Sequence, residues 1–320
     1  MKFSDSLRRG RVRSRLVLVG AMILVAPLVG VFEFATPAGA TPPKPPTDES
    51  YYVNSSSTTS AYNVGCAQGS ADKTSGSGSM AFLDFGGQNS TGTNTAFGGI
   101  TLTYSQIENI SLAFAQGYYF CTGTSDTSTQ LELVVGTNNN LDNGSTYGTA
   151  WGNVTSTTTT KVYNAGLNTQ VGVWGGDDME PGFGSQSATE SWASSFSGTS
   201  NEYVDYGSAD GCQLTGGANG TCNNSWTIAG EYDLAYGQVY GQSVPEIVST
   251  ATANEWANIS EYGNLHGGYG TILFEGPLDE YPRGAGWSAS SAWSGFYSAL
   301  SSYGVAMTPT YSLETSSSYA

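Results

Sequence analysis

The sequence predicts an α/β fold of the (β/α)8 type, a TIM-like barrel that is irregular or incomplete. Short runs rich in β-branched and aromatic residues alternate with runs of helical periodicity, and three helical runs open with a capping box. Such alternation implies a parallel sheet with helices packed outside it. A doubly wound parallel sheet is the alternative, although neither G-x-G-x-x-G nor G-x-x-x-x-G-K-[ST] follows a predicted strand.

The predicted strands are short, and their composition suits burial on both faces of a sheet. They are MAFLDF from Met80, LELVVG from Leu131, QVGVWG from Gln170, EYVDYG from Glu202, VPEIVS from Val244, GTILFE from Gly270 and VAMTPTY from Val305.

The predicted helices begin at S/T-x-x-E boxes, in which two side chains satisfy the free amide groups of a helix start. The boxes pair Ser105 with Glu108, Ser187 with Glu190, and Thr252 with Glu255. A last helix is predicted from the apolar positions of 293–300, with a glycine stop at position 304. The Thr-rich residues 149–165 fit no element.

The amino terminus has the organisation of a secretory signal over residues 1–40, with a basic start, an apolar run and a small-x-small cleavage site. An uncleaved membrane anchor is the alternative reading. Residues 41–62, rich in Pro, Ser and Thr, indicate an extended spacer. We expect the barrel domain at residues 63–312 and a disordered tail at 313–320.

Charge excludes two classes of partner. After removal of residues 1–40, the 26 acidic residues lose Asp5 and Glu33, and four Lys and Arg remain, which gives a net charge of −20. Such a chain repels phosphate backbones and anionic bilayers, so we expect no nucleic-acid partner and no membrane after signal cleavage. One folded domain, a monomer, is the simplest expectation.

Four cysteines in an exported chain indicate two disulfides, for which three pairings exist. We favour Cys212–Cys222, which closes a Gly- and Asn-rich loop, and Cys66–Cys121, which ties down the start of the domain. No C-x-x-C pattern supports a zinc site.

Carboxylates, amides and aromatic residues gather at the carboxyl ends of the predicted strands, where ligands bind in parallel α/β folds. This composition suits a sugar site. The predicted substrate-binding residues are Trp174, Asp177, Asp205, Tyr206, Glu246 and Glu275, with Asp279 and Glu280 beyond the last of these. Solvent-facing positions are the alternative for the acids, and Asn138 to Asn140 read more simply as a turn.

Asp178 and Glu180 form the sharpest pair. Alternate residues of a strand share a face and lie about 6.6 Å apart, and Pro181 keeps Glu180 extended. Glycosidases use two carboxyl groups about 5 to 9.5 Å apart. The sequence therefore predicts Glu180 as the proton donor, Asp178 as its assistant and Asp84 as a third catalytic residue; loop solvation or helix capping is the alternative.

Other chemistries are excluded by what the chain lacks. His266 is the single histidine, so a Ser-His-Asp triad could use no other. No G-x-S-x-G motif supplies a nucleophilic serine for such a triad. An all-oxygen Ca²⁺ site is allowed, although no D-x-[DN]-x-[DN]-G loop supports it. The expectation is therefore no metal and no cofactor.

At FLDFGGQN and DDMEP the chain resembles secreted glycoside-hydrolase-like barrels of the family-25 lysozyme type and their uncharacterised relatives. The resemblance implies a β/α barrel with an Asp on the first strand and a D-x-E at a later strand end, whose Glu is the acid. It carries over to Asp84, Asp178 and Glu180 only, across about a quarter of the chain.

The main functional expectation is a secreted glycoside hydrolase acting on a polysaccharide or on peptidoglycan, with a carbohydrate or cell-wall polymer as partner. A non-catalytic, wall-associated carbohydrate-binding protein is the second hypothesis. A structural coat protein is the third, suggested by the Ser-, Thr-, Asn- and Gly-rich composition.

Overall fold

Eight parallel strands alternate with helices in the computed structural model, which describes residues 41–95, 99–140, 144–199, 201–214, 217, 220–237, 241–284, 286–305 and 311–319. The predicted signal, residues 1–40, lies outside the described residues. The strands are β1 (Thr47–Val53), β2 (Ser79–Asn89), β3 (Gly92–Asn94), β4 (Thr101–Thr103), β5 (Leu131–Asn138), β6 (Val171–Asp178), β7 (Tyr203–Asp205), β8 (Gln242–Ser243), β9 (Leu278–Asp279) and β10 (Ser312–Tyr319). The helices are α1 (Thr58–Ser75), α2 (Tyr104–Thr122), α3 (Ser145–Asn164), α4 (Gln186–Ser197), α5 (Ile228–Tyr232), α6 (Thr250–Tyr262) and α7 (Ala289–Ser302).

The sheet runs in the order β8-β7-β6-β5-β2-β1-β10-β9, and β3 and β4 add an antiparallel hairpin to β2. Every neighbouring pair in the eight-strand path is parallel, and the first strand, β1, pairs with the last, β10. The strands therefore follow chain order around a curved sheet. The prediction of an irregular or incomplete (β/α)8 barrel is confirmed, and the doubly wound alternative is wrong.

The irregularity lies between β8 and β9, which share no continuous ladder. Two isolated parallel bridges, Ser243–Phe274 and Glu246–Leu278, link this part of the sheet instead. The Leu278 amide donates to the Pro245 carbonyl at 2.9 Å, and the Ile247 amide donates to the Leu278 carbonyl at 2.7 Å. These bonds bring the segment around Glu246 beside β9.

The predicted spacer over residues 41–62 is wrong for most of its length. Thr47–Val53 forms β1, which lies between β2 and β10, and α1 begins at Thr58 with a Ser57 cap. The run ESYYV supplies the β-branched and aromatic residues of a strand, a signal that the neighbouring prolines obscured. The predicted tail is also wrong, because residues 313–319 continue β10.

Strand boundaries shift where glycine and proline interrupt the apolar runs. The first four predicted strands are confirmed as β2, β5, β6 and β7. The fifth, VPEIVS from Val244, is wrong as a strand, because β8 ends at Ser243 and the predicted run contributes an isolated bridge at Glu246; β9 at Leu278 replaces the sixth. Most of the seventh prediction, residues 306–310, lies outside the described residues.

The N-terminal caps of these helices lie two or three residues before the first residue of each predicted box. Thr103 caps α2 in a box with Gln106, and Ser249 caps α6 in a box with Thr252. The unassigned Thr-rich segment is α3. Its threonines stay helical because their hydroxyls bond to carbonyls one turn back, as Thr155 does to Trp151 and Thr159 to Thr155.

Both predicted disulfides are present, Cys66–Cys121 between α1 and α2, and Cys212–Cys222 in the loop after β7. Helices and sheet enclose a large apolar layer that includes Trp151, Trp192 and Trp256, each at most 1% exposed. None of the described helices is both long enough and apolar enough to cross a membrane.

Candidate functional site

A second, smaller apolar cluster fills the inside of the barrel. Side chains alternate between the two faces of a strand, so positions two residues beyond a member of this cluster also face inward. Asp84 follows Phe82, Glu246 follows Val244 in an extended segment, and Glu280 follows Leu278. The cluster consists of Met80, Phe82, Val134, Val204, Tyr206, Val244, Leu278 and Leu313.

The same alternation sends Asp178 into the barrel interior. Trp174 packs against the inner cluster, and Asp178 lies four residues further along β6, at its carboxyl end. Its side chain is 5% exposed. Acids from β2, β6, β8 and β9 therefore converge on one end of the barrel. We call this group, made of Asp84, Asp178, Glu180, Glu246 and Glu280, the acidic mouth.

The charges of these acids act on one another, so the five groups lie close together in space. The pKa of Asp178 is raised well above its usual range by burial first, and then by Glu180, Glu246 and Asp84. Burial likewise raises the pKa of Glu246, followed by the charges of Glu280 and Glu180. Residues more than 190 positions apart in sequence thus share one electrostatic environment.

Glu180 lies just beyond β6 and is only partly buried. Burial raises its pKa to about 8, and the carboxyls of Asp210, Glu280 and Asp84 act in the same direction. The charge of Glu180 is the first charge, after burial, that raises the pKa of Asp178, so the two carboxyls repel each other when both are ionised.

Asn139 positions the backbone of Glu180 from the neighbouring strand. Its Oδ1 accepts the Glu180 amide at 3.1 Å, and its Nδ2 donates to the Glu180 carbonyl at 3.2 Å. The same Nδ2 donates to Thr189 Oγ1 in α4 at 3.2 Å. The side chain is 1% exposed, so these bonds form without competition from water.

Tyr206 forms the floor of the acidic mouth. Its hydroxyl donates to the Thr137 carbonyl at 2.8 Å, and its ring lies 4.8 Å from that of Phe82. Gly136 and Gly176 are the inward positions beneath this ring, where a Cβ atom would collide with it. Tyr206 therefore lies at the predicted site, where it supports the acids from below as a buried side chain, 3% exposed.

Three carboxyls of the mouth could hold a metal ion. One oxygen from each of Asp178, Glu180 and Glu246 lies within 4.8 Å of the others. An all-oxygen set of this kind suits Ca²⁺ or Mg²⁺ rather than zinc.

Trp174 does not lie at the mouth, which corrects its predicted position. It precedes Asp178 by four residues, about 13 Å along an extended strand, and packs inside the barrel against the inner apolar cluster. The prediction placed Trp174 and Asp178 in one site, whereas the length of β6 between them keeps Trp174 away from the mouth.

Asp177 and Asp205 are also wrong as mouth residues, because they face outward, under the helices. Asp177 pairs with Asp205 in the β6–β7 ladder, and both are 1% exposed. Tyr203, two residues before Asp205, packs its ring on Trp192 of α4. Asp205 accepts the Gly207 amide at 3.2 Å, and burial raises its pKa to about 7.

Glu275 lies at the opposite end of the barrel. The carboxyl of Glu132, the second residue of β5, interacts with Glu275 and accepts a hydrogen bond from Tyr311. Because β9 begins at Leu278 rather than earlier, Glu280 takes the mouth position that the sequence assigned to Glu275.

Sequence reasoning missed two members of the site and undervalued a third. Tyr52, assigned to the spacer, pairs with Asp84 in the β1–β2 ladder and donates its hydroxyl to Glu280 Oε1 at 2.9 Å. The sequence places Glu280 only beyond Glu275, and its pattern at Asn139 predicts a turn residue. The alternation of ESYYV was the available signal for Tyr52.

No protein-family model, no curated protein and no solved structure matches this chain.

Proposed function

We propose that this protein is a secreted glycoside hydrolase that cleaves a polysaccharide by carboxylate acid–base chemistry. The observation that carries the proposal is the convergence of Asp84, Asp178, Glu246 and Glu280 from separate strands on the carboxyl end of the barrel, beside Glu180. Parallel β/α barrels bind substrates at this end. Paired disulfides suit an oxidising, extracellular compartment.

Glu180 is the proton donor in this proposal, because its pKa of about 8 keeps it protonated at neutral pH. It donates its proton to the glycosidic oxygen as the bond from that oxygen to the anomeric carbon breaks. Asp178 faces the sugar ring and, once ionised, stabilises the positive charge that develops on it. Water then adds its hydroxyl to the anomeric carbon and returns a proton to Glu180.

The spacing of the carboxyls supports a reaction that retains configuration at the anomeric carbon. One oxygen from each of Asp178, Glu180 and Glu246 lies within 4.8 Å of the others. Retaining enzymes separate their carboxyl groups by about 5–5.5 Å, whereas inverting enzymes leave about 6.5–9.5 Å for a water molecule. The mouth is therefore closer to the retaining arrangement, with configuration at the anomeric carbon preserved.

The test is the release of reducing ends from a panel of neutral, acetylated and amino-sugar polysaccharides by wild type and Glu180→Gln. The matched control is Glu132→Gln, which removes a partly buried acid at the other end of the barrel. We expect Glu180→Gln to lower kcat by about 10²–10⁴-fold and the control to match wild type. Equal activity in wild type and Glu180→Gln, or no hydrolysis of any member of the panel, would overturn the proposal.

A further inference from the structure

Two large aromatic side chains are exposed next to the acidic mouth, and the proposed reaction gives neither of them a role. Phe183 is 36% exposed and lies in the loop after β6. Tyr281 is 56% exposed and directly follows Glu280. An aromatic ring presents a large apolar area, and its contact with a ligand recovers the free energy that exposure to water costs.

The loop that carries Phe183 holds this residue close to the proposed proton donor. The Phe183 amide donates to the Glu180 carbonyl at 3.0 Å, which closes a turn whose first and last Cα atoms lie less than about 7 Å apart. Two side chains just beyond the Cys212–Cys222 disulfide donate to the carbonyls of Pro181 and Gly184, at 2.7 and 3.0 Å. Phe183 is therefore exposed on a loop that hydrogen bonds fix on both sides of it.

Gly182, within this turn, keeps the space beside the proton donor open. A Cβ atom at this position would lie 2.7 Å from Asp210 Oδ2 and 4.0 Å from Glu180 Oε2. Any larger residue would therefore fill space that borders both carboxyls. Glycine leaves that space to a ligand, next to the carboxyl that donates the proton.

Tyr281 is held in a similar way after β9. Its amide donates to Asp279 Oδ1 at 3.1 Å, and its carbonyl accepts the Gly284 amide at 2.9 Å. These bonds fix the backbone of a short helical turn that begins at Tyr281. The exposed ring is thus carried by a bonded turn, as Phe183 is.

The two rings belong to different walls of the barrel. Around the sheet, β7 and β8 separate β6 from β9 on one side, and β5, β2, β1 and β10 separate them on the other. The charge of Glu280 nevertheless raises the pKa of Glu180, so the loops after β6 and β9 approach each other across the mouth. Phe183 and Tyr281 therefore border the mouth on two sides.

The protonation of the mouth favours a neutral ligand. Burial raises the pKa of Glu180 to about 8 and raises the pKa values of Asp178 and Glu246 well above their usual range. A neutral carboxyl both donates and accepts hydrogen bonds, which suits the hydroxyl groups of a sugar. Residues 41–320 contain four basic and 24 acidic residues, a balance that repels an anionic polymer.

We propose that the substrate is a neutral polysaccharide that crosses the acidic mouth and stacks its sugar rings on Phe183 and on Tyr281, on the two sides of the bond that is cleaved; this inference rests on the proposed function. The apolar C–H face of a sugar ring packs on an aromatic ring, while the hydroxyls at its edge bond to the carboxyls. Stacking on both sides holds the chain across the proton donor.

Binding is measured by calorimetry on the Glu180→Gln variant, which lacks the proposed proton donor. The probes are β-linked hexamers of glucose, mannose and N-acetylglucosamine, with a hexamer of galacturonic acid as the anionic comparison. We expect at least one neutral hexamer to bind with an affinity that salt changes less than about twofold, and the anionic hexamer to bind at least tenfold more weakly. Failure of every neutral hexamer to bind, or equal binding of the anionic one, would overturn the inference.

Variants of the two rings test the stacking. Phe183→Ala and Tyr281→Ala should each weaken the tightest-binding neutral hexamer about tenfold, because each removes one stacking surface. Phe183→Tyr and Tyr281→Phe keep a ring and should bind within about twofold of the parent. The matched controls, Phe120→Ala and Tyr163→Ala, remove exposed rings from the last turns of the outer helices α2 and α3 and should change nothing.

An unchanged affinity in either Phe183→Ala or Tyr281→Ala would overturn the inference, as would an equal loss in the controls. Circular dichroism checks that each variant is folded. If an alanine variant is not folded, the comparison of neutral and anionic hexamers on Glu180→Gln decides the inference.

The two proposals fail in different ways. Ring-dependent binding of a neutral hexamer without any hydrolysis by wild type would support this mode of binding and overturn the hydrolase. Hydrolysis of a neutral polymer with the same KM in wild type, Phe183→Ala and Tyr281→Ala would support the hydrolase and overturn this inference.

Discussion

The Tyr52 hydroxyl donates a hydrogen bond of 2.9 Å to Glu280 Oε1, and this bond joins two residues 228 positions apart. Tyr52 lies in β1, and Glu280 follows β9 directly. The tyrosine ring also shares the environment of Asp178, Asp84 and Glu246, each of which raises the pKa of Tyr52 after burial does. Tyr52 therefore bonds to one acid of the mouth and lies within the electrostatic reach of three others.

Removing this hydroxyl tests the link. Tyr52→Phe should lower the free energy of unfolding by about 1–3 kcal/mol, because the Glu280 acceptor stays partly buried without that donor. Tyr163→Phe is the matched control, since Tyr163 is 66% exposed. Denaturant melts of the two variants give the answer. If Tyr52→Phe and Tyr163→Phe shift the midpoint equally, the bond does not stabilise the mouth.

The chemical role of Glu180 predicts a dependence on the leaving group. Glu180→Gln should lower kcat/KM by about 10²–10⁴-fold for a substrate whose leaving group is a sugar. The same variant should remain near wild type for a dinitrophenyl glycoside, because that leaving group departs without a proton. Steady-state kinetics on both substrates separate the roles. Equal losses on both would mean that Glu180 acts by positioning rather than by proton transfer.

Asn139 is predicted to be a positioning residue. Asn139→Ala removes the bonds to the Glu180 amide and carbonyl and to Thr189, and we expect a loss of about 1–3 kcal/mol of stability. Displacement of Glu180 should lower kcat by about 10²-fold and shift the limb of the pH–rate profile that reports the acid.

The exposed neighbour Asn140 gives the control, because Asn140→Ala leaves these bonds intact. An Asn139→Ala protein that loses stability but keeps the wild-type pH–rate profile would show that the residue is structural only.

Buried acids make the folded protein more stable at low pH. Burial raises the pKa values of Asp48 and Asp205 to about 7 and of Glu180 to about 8, from ordinary values of 3.8 and 4.5. At pH values between the ordinary pKa and the raised pKa of each group, the folded state binds more protons than the unfolded state. Stability is therefore highest near pH 4 and falls as pH rises to about 8, by up to about 1.4 kcal/mol per pH unit for each group.

Unfolding midpoints measured from pH 4 to pH 9 test this slope. Asp205→Asn should reduce the slope of unfolding free energy against pH by the contribution of about one bound proton. Glu202→Gln, at an exposed position, should leave the slope unchanged. A free energy of unfolding that increases with pH across this window would contradict the raised pKa values.

Much of the architecture could be predicted from local patterns. The runs MAFLDF, LELVVG and QVGVWG contain enough β-branched and aromatic residues to identify β2, β5 and β6, and their alternation with helices led to the barrel. The strand of ESYYV was missed because prolines precede it, although its place between β2 and β10 depends on contacts distant in sequence. A two-residue strand such as β9 carries too little pattern to locate.

The candidate site was predicted in part. Asp84, Asp178, Glu180 and Glu246 do come together, because Asp84 faces inward from β2 and the other three lie at or beyond the ends of β6 and β8. Side chains alternate between the two faces of a strand, so Asp178 faces the barrel interior while its neighbour Asp177 faces the helices. The prediction for Glu275 was wrong for a different reason, since β9 starts at Leu278, three residues after Glu275 and eight residues after the start of the predicted run.

The most direct test of the account is a crystal structure that measures the separations among the carboxyl oxygens of Asp178, Glu180 and Glu246. The account predicts that one oxygen from each lies within 4.8 Å of the other two, inside a single opening lined also by Asp84 and Glu280. A structure in which Glu246 or Asp178 lies farther from Glu180 than the ~9.5 Å that a two-carboxylate mechanism spans would contradict it.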